Sequence, residues 1–157
     1  MHGQAKIILT GNIMKVHDIM HHIKGRGFPC VSEESDISEV IRIAAKFPHT
    51  RIVYVIDTNG TLLGAITIGA LLRHLYPYHY EDKIHPRDIL RNIIVEKASH
   101  LMSSKNVNAS PNESIDGVLK RMASTGVKEM AVLDKNGRIL ADITAVDLLK
   151  YYELESE

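Results

Sequence analysis

An internal duplication constrains this chain more than any other feature of its sequence. Residues 31–41 match residues 109–119 at an offset of 78, through shared serine, isoleucine and valine positions. Residues 55–60 match residues 132–137 at an offset of 77, and this second register continues through the rest of both copies. A self-similar chain is expected to build one structural unit more than once. The sequence therefore predicts two copies of a single folding unit.

Each copy has the same predicted order of elements. A short β-prone piece leads to a serine, Ser32 or Ser110, followed by acidic or amide residues, which is a helix-start signal. Apolar residues then recur at helical spacing, and a strand follows. Both hairpin turns contain Asn-Gly, which readily adopts the positive φ of a tight turn. A return strand and a last helix that starts at Thr67 or Thr144 complete the order β-α-β-β-α, twice.

A single copy is too small to be stable alone. Each half has about 55 residues, and domains of that size bury too little surface to be more than marginally stable. Two copies packed sheet against sheet would bury both apolar faces. We therefore expect an α/β (α+β) fold in which residues 1–157 form one pseudo-symmetric domain.

Composition excludes several functional classes. The 19 Lys and Arg residues balance 19 Asp and Glu residues, so the basic excess of a nucleic-acid or anionic-membrane binder is missing. Cys30 is the only cysteine, which rules out an intrachain disulfide and a cysteine-based zinc cluster. No apolar run approaches the ~18 residues of a membrane-spanning helix. The apolar stretch that follows residues 1–6 is short, so we expect no signal peptide there. We expect a soluble cytoplasmic protein that binds neither nucleic acid nor membrane.

The order of these motifs, found twice, resembles that of the cystathionine-β-synthase (CBS) domain family in its tandem arrangement, the Bateman module. The resemblance is carried by two hairpins, two strand-to-helix junctions and two short lead helices: 55–60, 132–137, 64–67, 141–147, 15–20 and 98–102. It covers nearly the whole chain. It implies a first CBS repeat over residues 14–76, a linker over 77–97 and a second repeat over 98–153.

The resemblance also implies a function. Pairs of this family bind adenosine-containing ligands, often AMP, ADP, ATP or S-adenosylmethionine, in clefts between the two repeats. Ligand binding usually regulates an attached or partner protein, and neither catalysis nor a required cofactor is implied. Two modules are expected to associate as a homodimer. Because the two repeats account for almost the whole chain, the regulated protein is expected to be another chain.

A Thr-x-x-Asp pair at the start of the last helix is the strongest candidate for ligand binding. Thr144 would present its hydroxyl beside free backbone N–H groups, which is a natural seat for a phosphate. Asp147 lies one turn later and can accept two hydrogen bonds from a ribose diol, each worth roughly 1.5–3 kcal/mol. The same pair is nearly a capping box, which helix starts carry without any ligand. Both interpretations stay open, and they can coexist.

The first repeat departs from this pattern. Thr67 corresponds to Thr144, but Ala70 occupies the position of Asp147. A methyl group cannot hold a diol, and losing such a contact implies an affinity drop of roughly 10- to 100-fold. We therefore predict one good nucleoside site and a second that is degraded or empty, where Thr67 caps its helix or meets a phosphate.

By resemblance, the repeat that holds the ribose shares its site with the first strand and the helix-to-strand junction of its partner repeat. The candidate ligand-binding residues are therefore drawn from both repeats: Thr144, Asp147, Ile143, Lys128, Cys30, Val31, Thr50, Arg51, Val53 and Thr67. Arg51 and Lys128 are candidates for phosphate contact, against the alternative of solvated strand-edge residues. For Cys30, Val31 and Val53 the alternative is core packing.

Other groups of residues give weaker indications of function. His17 and His21 lie four apart on the first lead helix, a spacing that can bind a metal, but no third ligand stands at a matching spacing. We expect neither a metal site nor a catalytic residue. The tyrosine-rich segment 76–80 and a predicted helix over 89–94 are interpreted as a connecting element on the rim, or alternatively as a gate or partner surface. For the whole chain, the alternative to ligand sensing is a ligand-free structural or dimerisation module.

Overall fold

The computed structural model describes residues 8–9, 12–76, 96–105 and 107–151. Its strands are β1 (Ile8–Leu9), β2 (Asn12–Ile13), β3 (Cys30–Ser32), β4 (Ile52–Ile56), β5 (Leu62–Thr67), β6 (Asn108–Ala109), β7 (Glu129–Leu133) and β8 (Ile139–Thr144). Its helices are α1 (Val16–Ile23), α2 (Ile37–Ala45), α3 (Ile68–Leu75), α4 (Ala98–Leu101), α5 (Ile115–Thr125) and α6 (Ala145–Leu149). No helix within these ranges is long and apolar enough to cross a membrane.

Part of the predicted connection between the repeats lies outside the described residues. The linker predicted over 77–97 is described only at residues 96 and 97, and the tyrosine-rich segment only at Tyr76. The helix predicted over 89–94 falls wholly outside. Those predictions therefore stay predictions.

The described chain forms two compact units. The first-repeat unit comprises the described residues of 28–106, and the second-repeat unit those of 1–27 and 107–157. One three-stranded sheet has the order β3-β4-β5 and the other β6-β7-β8. In each sheet the first two strands are parallel and the last two antiparallel. The mixed α and β class and the β-α-β-β-α order, found twice, are confirmed.

The two sheets match each other position by position. Val55 pairs with Gly64 in the first-repeat unit, and Val132 pairs with Ala141 in the second. The same register shift follows both valines, just before the Asn-Gly turns. The offset of 77 residues seen in the sequence is thus also the offset between equivalent positions of the two sheets.

Each unit is completed by the lead helix of the other repeat. Helix α1 precedes the first repeat in the sequence, yet its Val16 N–H donates to the Glu113 carbonyl oxygen of the second-repeat unit at 2.9 Å. Helix α4 precedes the second repeat, and its Ala98 N–H donates to the Ser35 carbonyl oxygen of the first-repeat unit at 2.7 Å. The compact units are therefore not contiguous in the sequence.

Ser32 and Ser110, the predicted start signals, do not cap the first helix of their repeats, because α2 and α5 each begin five residues later. The caps are Asp36 for α2 and Ser114 for α5, and each side-chain oxygen accepts from the N–H three residues on. Ser32 and Ser110 instead close short turns, because each hydroxyl accepts from the N–H two residues on. Serine followed by polar residues marks a turn here, and the helix cap comes afterwards.

Each unit has its own apolar core. The first-repeat core contains Val31, Ile37, Val40, Val53, Val55, Ile66, Leu71 and Ala98. The second-repeat core contains Met14, Val16, Ile19, Ile23, Ala109, Ile115, Val118, Met122, Met130, Val132, Ala141, Ile143 and Leu148. Three of the candidate ligand-binding residues, Val31, Val53 and Ile143, are therefore core residues and are 5% exposed or less.

Candidate functional site

The Thr-x-x-Asp pair forms a reciprocal capping box at the start of α6. The Thr144 hydroxyl oxygen accepts from the Asp147 N–H at 3.2 Å, and Asp147 Oδ2 accepts from the Thr144 N–H at 2.9 Å. The predicted capping box is therefore present in the structure. It leaves the carboxylate in a fixed orientation, because one of its oxygens is held by the backbone of its own helix start.

A second group holds the same carboxylate from the other side. Arg26 Nη1 donates to Asp147 Oδ1 at 2.7 Å, and Arg26 Nη2 donates to Asp147 Oδ2 at 2.6 Å. Nη2 also donates to the Asp142 carbonyl oxygen at 2.9 Å. The Asp147 side chain is 7% exposed and that of Arg26 is 43% exposed. A two-pronged arginine–carboxylate pair of this kind is among the stronger polar contacts in proteins.

The acceptor capacity of Asp147 is nearly used up by these contacts. A carboxylate has about four acceptor positions on its two oxygens. Arg26 takes one position on each oxygen, and the Thr144 N–H takes a second on Oδ2. Counted over the bonds of the described residues, one position remains, on Oδ1.

The protonation equilibria follow from the same contacts. Burial by itself would raise the pKa of Asp147, but the hydrogen bonds from Arg26 and Thr144 and the Arg26 charge outweigh burial, so the pKa is lowered. The hydrogen bond to Asp147 raises the pKa of the Arg26 guanidinium, against the opposing effect of partial burial. Both groups are therefore charged throughout the neutral range.

Two further carboxylates lie close to Arg26. Among the residues that the structure describes, the buried charged side chains are Glu129, Asp142 and Asp147, each exposed by 6% or less. The charges of all three help to raise the pKa of Arg26. Their equivalents in the first repeat, 77 positions earlier, are all apolar: Ile52, Ala65 and Ala70. The second repeat thus carries an acidic cluster that the first repeat lacks.

Lys128 and Ile143 complete the predicted residues of the second-repeat unit. The Lys128 carbonyl oxygen accepts from the Ala145 N–H at 2.8 Å, so the backbone at Lys128 anchors the start of α6 while its side chain is exposed. Ile143 points into the core. The structure therefore brings Thr144, Asp147 and the backbone of Lys128 together at one end of the sheet.

In the first-repeat unit the equivalent junction is built the same way. The Arg51 carbonyl oxygen accepts from the Ile68 N–H at 2.9 Å, and the Arg51 side chain is exposed. Thr67 caps α3, since its hydroxyl oxygen accepts from the Ala70 N–H at 3.0 Å. Without a carboxylate at position 70, the cap is one-sided.

The remaining first-repeat candidates have local roles. The Thr50 hydroxyl donates to the Phe47 carbonyl oxygen at 3.1 Å. Cys30 on β3 is partly exposed, and burial raises the pKa of its thiol to about 11, so the thiol is protonated at neutral pH. Their predicted contact with a ligand stays a prediction.

Sequence reasoning missed Arg26, Glu129 and Asp142. Arg26 lies in residues 24–29, between α1 and β3, and the equivalent connection between α4 and β6, residues 102–107, has the same length. The signal that could have singled out Arg26 is the glycine on each side of it. Glu129 and Asp142 lie on strands, where a lone acidic residue is ordinarily taken as solvent-facing.

Neither a metal cluster nor the groove of the second-repeat unit coincides with the predicted site residues in the described part of the chain. Within the described ranges, no group of three His, Cys, Asp or Glu residues is arranged to hold a metal ion. His17 Nε2 lies 3.0 Å from Asp18 Oδ1 on an exposed face of α1. A groove of about 580 Å³ lies between residues 108–113, residues 133–135 and Leu140, and none of the predicted site residues lines it.

Known proteins share this architecture. The family model of the CBS domain matches residues 13–77 and 98–154. A CBS domain-containing protein from Thermotoga maritima is 26% identical, the match covers 92% of this chain and 99% of that protein, and the TM-score is 0.70.

Two further solved structures were determined with ligands. The CBS domain pair of protein MJ0100, in complex with 5′-methylthioadenosine and S-adenosyl-L-methionine, is 19% identical over 88% of this chain and 95% of that chain, with a TM-score of 0.65. CBSX2 from Arabidopsis thaliana, in complex with AMP, is 15% identical over 87% of this chain and 93% of that chain, with a TM-score of 0.66. At these identities the likeness is one of fold.

Proposed function

The chain belongs to the CBS domain family, and on that premise we propose that it is a regulatory protein that binds an adenosine-containing ligand and modulates a partner protein. The observation that carries the proposal is the state of Asp147. Its carboxylate is buried, charged and oriented by the Thr144 N–H at the start of α6. A carboxylate oriented in this way is suited to bind a ribose diol, because little side-chain entropy is lost on binding. One acceptor position is open on Oδ1, and the second hydroxyl needs a position that Arg26 occupies.

Two structural relatives support an adenosine ligand. One was determined with 5′-methylthioadenosine and S-adenosyl-L-methionine and the other with AMP. These molecules share the adenosine group and differ in what is attached to its 5′ position. For this chain we therefore propose AMP, ADP, ATP or S-adenosylmethionine as ligand, with no cofactor requirement.

One such site per chain is proposed, not two. Ala70 stands where the second repeat has Asp147, and its side chain offers no acceptor. Thr67 belongs to the degraded or empty first-repeat position, where it caps α3 or would meet a phosphate. Arg51, Thr50 and Cys30 are proposed contributors to the Asp147 site on the strength of family resemblance. Their backbone and side-chain contacts within the first-repeat unit are compatible with that role.

Isothermal titration calorimetry with AMP, ADP, ATP and S-adenosylmethionine tests the proposal. Binding at sub-millimolar concentration is expected for at least one ligand, with a stoichiometry of one per chain. Asp147→Ala is expected to weaken it by at least about 10-fold, because two charge-assisted hydrogen bonds are lost. Asp147→Asn keeps the side-chain volume and one cap acceptor, so it separates loss of charge from loss of the helix cap.

Glu113→Ala is the matched control. Glu113 is also a two-pronged arginine partner in the second-repeat unit, with Arg121 Nη1 at 2.6 Å from Oε1 and Nη2 at 2.9 Å from Oε2. Its removal is expected to leave ligand affinity unchanged. The proposal fails if no adenosyl ligand binds below 1 mM, on the order of a 4 kcal/mol interaction, or if Asp147→Ala binds as well as wild type.

A second candidate is a ligand-free structural or dimerisation module. The Arg26–Asp147 pair favours it, because three of the four acceptor positions on Asp147 are already used within the chain. In that case thermal unfolding is unchanged by every nucleotide. A bound ligand at 100 times its Kd would instead add about 2.7 kcal/mol to the free energy of unfolding.

The other parts of the proposed role concern context. We propose no catalysis by this chain, a homodimer as its assembly, and the cytoplasm as its location. Size-exclusion chromatography with light scattering tests the assembly.

A further inference from the structure

The contact between Arg26 and Asp147 bears directly on which adenosine ligand the site would take. We propose that Arg26 competes with the ribose diol for Asp147 and thereby makes the site selective for phosphorylated adenosine nucleotides over neutral nucleosides and S-adenosylmethionine. This inference rests on the proposed function, because it concerns the same carboxylate. It adds the ligand class, which neither the sequence nor the resemblance narrows.

The guanidinium and the diol need the same positions on the carboxylate. Arg26 donates to both oxygens of Asp147, at 2.7 and 2.6 Å, and Thr144 donates to Oδ2. Of about four acceptor positions on a carboxylate, this leaves one. A diol donates two hydrogen bonds, so it cannot be seated fully while the guanidinium stays in place. Diol binding therefore requires Arg26 to give up at least one of its two bonds to Asp147.

The segment that carries Arg26 is built to allow this exchange. Gly25 and Gly27 flank the arginine; Gly27 has φ +74°, and a Cβ at Gly25 would meet no atom within 4 Å. Backbone without Cβ atoms reorients at low steric cost. The Arg26 side chain is already 43% exposed, so its guanidinium loses no further contact with water when it leaves Asp147.

The displaced guanidinium determines the preference among ligands. When the Arg26 guanidinium leaves Asp147, it loses two charge-assisted hydrogen bonds, which are about twice as strong as neutral ones. A phosphate can take the guanidinium in the same two-pronged geometry, so the exchange replaces one anion with another. A neutral nucleoside offers no such replacement. S-adenosylmethionine carries a positive sulfonium at the 5′ position, where a nucleotide carries its phosphate, and its carboxylate lies several bonds farther from the ribose. A released arginine therefore meets a like charge there.

The covalent structure of a nucleotide would bring its phosphate within reach of a released Arg26. In a nucleotide the 5′-phosphate and the 2′,3′-diol are attached to one ribose ring and are only a few bonds apart. After its release from Asp147, the Arg26 side chain therefore needs only a change of rotamer to reach the phosphate, and the backbone of the unit does not have to move. Its third hydrogen bond, from Nη2 to the Asp142 carbonyl oxygen at 2.9 Å, is to a neutral acceptor and can be kept or lost at lower cost.

A matched pair in the same unit supplies the control. Arg121 donates one hydrogen bond to each carboxylate oxygen of Glu113, and its Nη2 also donates to the Asn108 carbonyl oxygen at 2.7 Å. Arg121 therefore makes the same three kinds of bond as Arg26, two to a carboxylate and one to a carbonyl. Glu113 is not part of a Thr-x-x-Asp pair. Arg121→Ala therefore removes the same kind of contact without touching the proposed diol acceptor.

The test is to titrate adenosine, AMP, ATP and S-adenosylmethionine into wild type, Arg26→Ala, Arg26→Lys and Arg121→Ala. Wild type is expected to bind AMP at least about 10-fold more tightly than adenosine, as a charge-assisted contact predicts. In Arg26→Ala, adenosine is expected to bind more tightly than in wild type and AMP more weakly, so that their ratio falls towards one. Arg26→Lys keeps a point charge without the fork, and is expected to retain part of the AMP preference. Arg121→Ala should behave as wild type.

Each other outcome has a definite consequence. If Arg26→Ala weakens adenosine and AMP by the same factor, Arg26 merely orients Asp147 and competition is overturned. If the AMP-to-adenosine ratio is unchanged in Arg26→Ala while Asp147→Ala still abolishes binding, the inference fails and the proposed function stands. If neither wild type nor Arg26→Ala binds any of the four ligands, the proposed function fails and the inference fails with it. Circular dichroism of each variant establishes that loss of binding is not loss of fold.

Discussion

The two repeats use the same backbone to present different chemistry at equivalent positions. Around the last hairpin and helix, the second repeat carries the buried carboxylates Glu129, Asp142 and Asp147. The first repeat has apolar residues at all three positions: Ile52, Ala65 and Ala70. Strand register, the turns and the threonine caps are the same in both. The scaffold therefore does not depend on these charges, and one copy was free to carry a polar site.

The units also differ in what binds the backbone of the last strand at the equivalent residues Ala65 and Asp142. In the first-repeat unit the Ala65 carbonyl oxygen accepts from the Ser103 N–H at 2.9 Å, and the Ala65 N–H donates to the Ser103 carbonyl oxygen at 3.1 Å. In the second-repeat unit the equivalent carbonyl, that of Asp142, accepts from Arg26 Nη2 at 2.9 Å. The carbonyl oxygen at this position thus accepts from the main chain in the first-repeat unit and from a side chain in the second-repeat unit. Only the side chain can be exchanged for a ligand without breaking backbone pairing.

The largest effect is expected where the first repeat depends on the main-chain hydrogen bonds between Ala65 and Ser103. A methyl group at Gly64 would lie 2.8 Å from the Ser103 carbonyl oxygen and 2.8 Å from the Met102 sulfur. The sulfur can move, but the carbonyl oxygen is held by Ala65. Gly64→Ala is expected to lower the free energy of unfolding by about 2–3 kcal/mol, as overpacked core substitutions do. Urea unfolding followed by circular dichroism measures the loss.

Ala141→Gly is the matched change in the second repeat. Ala141 pairs with Val132 as Gly64 pairs with Val55, and it is 1% exposed. Its replacement is expected to cost about 1 kcal/mol, from backbone entropy and the lost methyl group. Equal losses at the two positions would show that the close approach at Gly64 does not distinguish the repeats.

The next effect belongs to the Arg26–Asp147 ion pair of the second-repeat unit, since the first-repeat unit has Ala70 at the position equivalent to Asp147. Arg26→Ala is expected to lower the free energy of unfolding at pH 7 by about 1–2 kcal/mol, less than for a fully buried pair because Arg26 is half exposed. The pKa of Asp147 is lowered in the folded state. The contribution of the pair is therefore present above the ordinary aspartate pKa of 3.8 and is lost as the pH falls through the lowered value.

Urea unfolding of wild type and Arg26→Ala at pH 7 and near pH 3 checks this sign. The difference between the two proteins should shrink at the lower pH. A double-mutant cycle with Asp147→Ala isolates the coupling between the two side chains. A difference that stays constant with pH would mean that Arg26 stabilises the unit by packing and not through the carboxylate.

The repeat, the hairpins and the helix cap were predictable because each is encoded by neighbouring residues. Gly60 and Gly137 have φ of +80° and +77°, the left-handed conformation that Asn-Gly turns favour. Thr144 and Asp147 are three residues apart, and a Thr-x-x-Asp pattern before a helix specifies its own geometry. Local chemistry of this kind can be predicted from sequence spacing alone.

The partner of Asp147 could not be predicted in that way. Arg26 is 121 residues away in the sequence, and it reaches Asp147 because α1 packs in the second-repeat unit. The apolar spacing of a lead helix is satisfied equally by either core, so periodicity does not choose between them. Predicting Arg26 required knowing that lead helices are exchanged, and only the fold supplies that information.

The smallest expected change in the free energy of unfolding comes from a substitution that makes the first repeat resemble the second at a single position. Ala70→Asp places a carboxylate where it can accept from the Thr67 N–H, and thus completes the capping box on α3 that Thr144 and Asp147 form on α6. The free energy of unfolding is expected to rise by about 0.5 kcal/mol, from the added cap and the favourable helix dipole. Urea unfolding measures it, and Thr67→Ala supplies the control, since the gain should disappear when the reciprocal hydroxyl is removed. A gain that persists in the Thr67→Ala background would come from charge at the helix start alone, and the reciprocal box would then not be what separates the two copies.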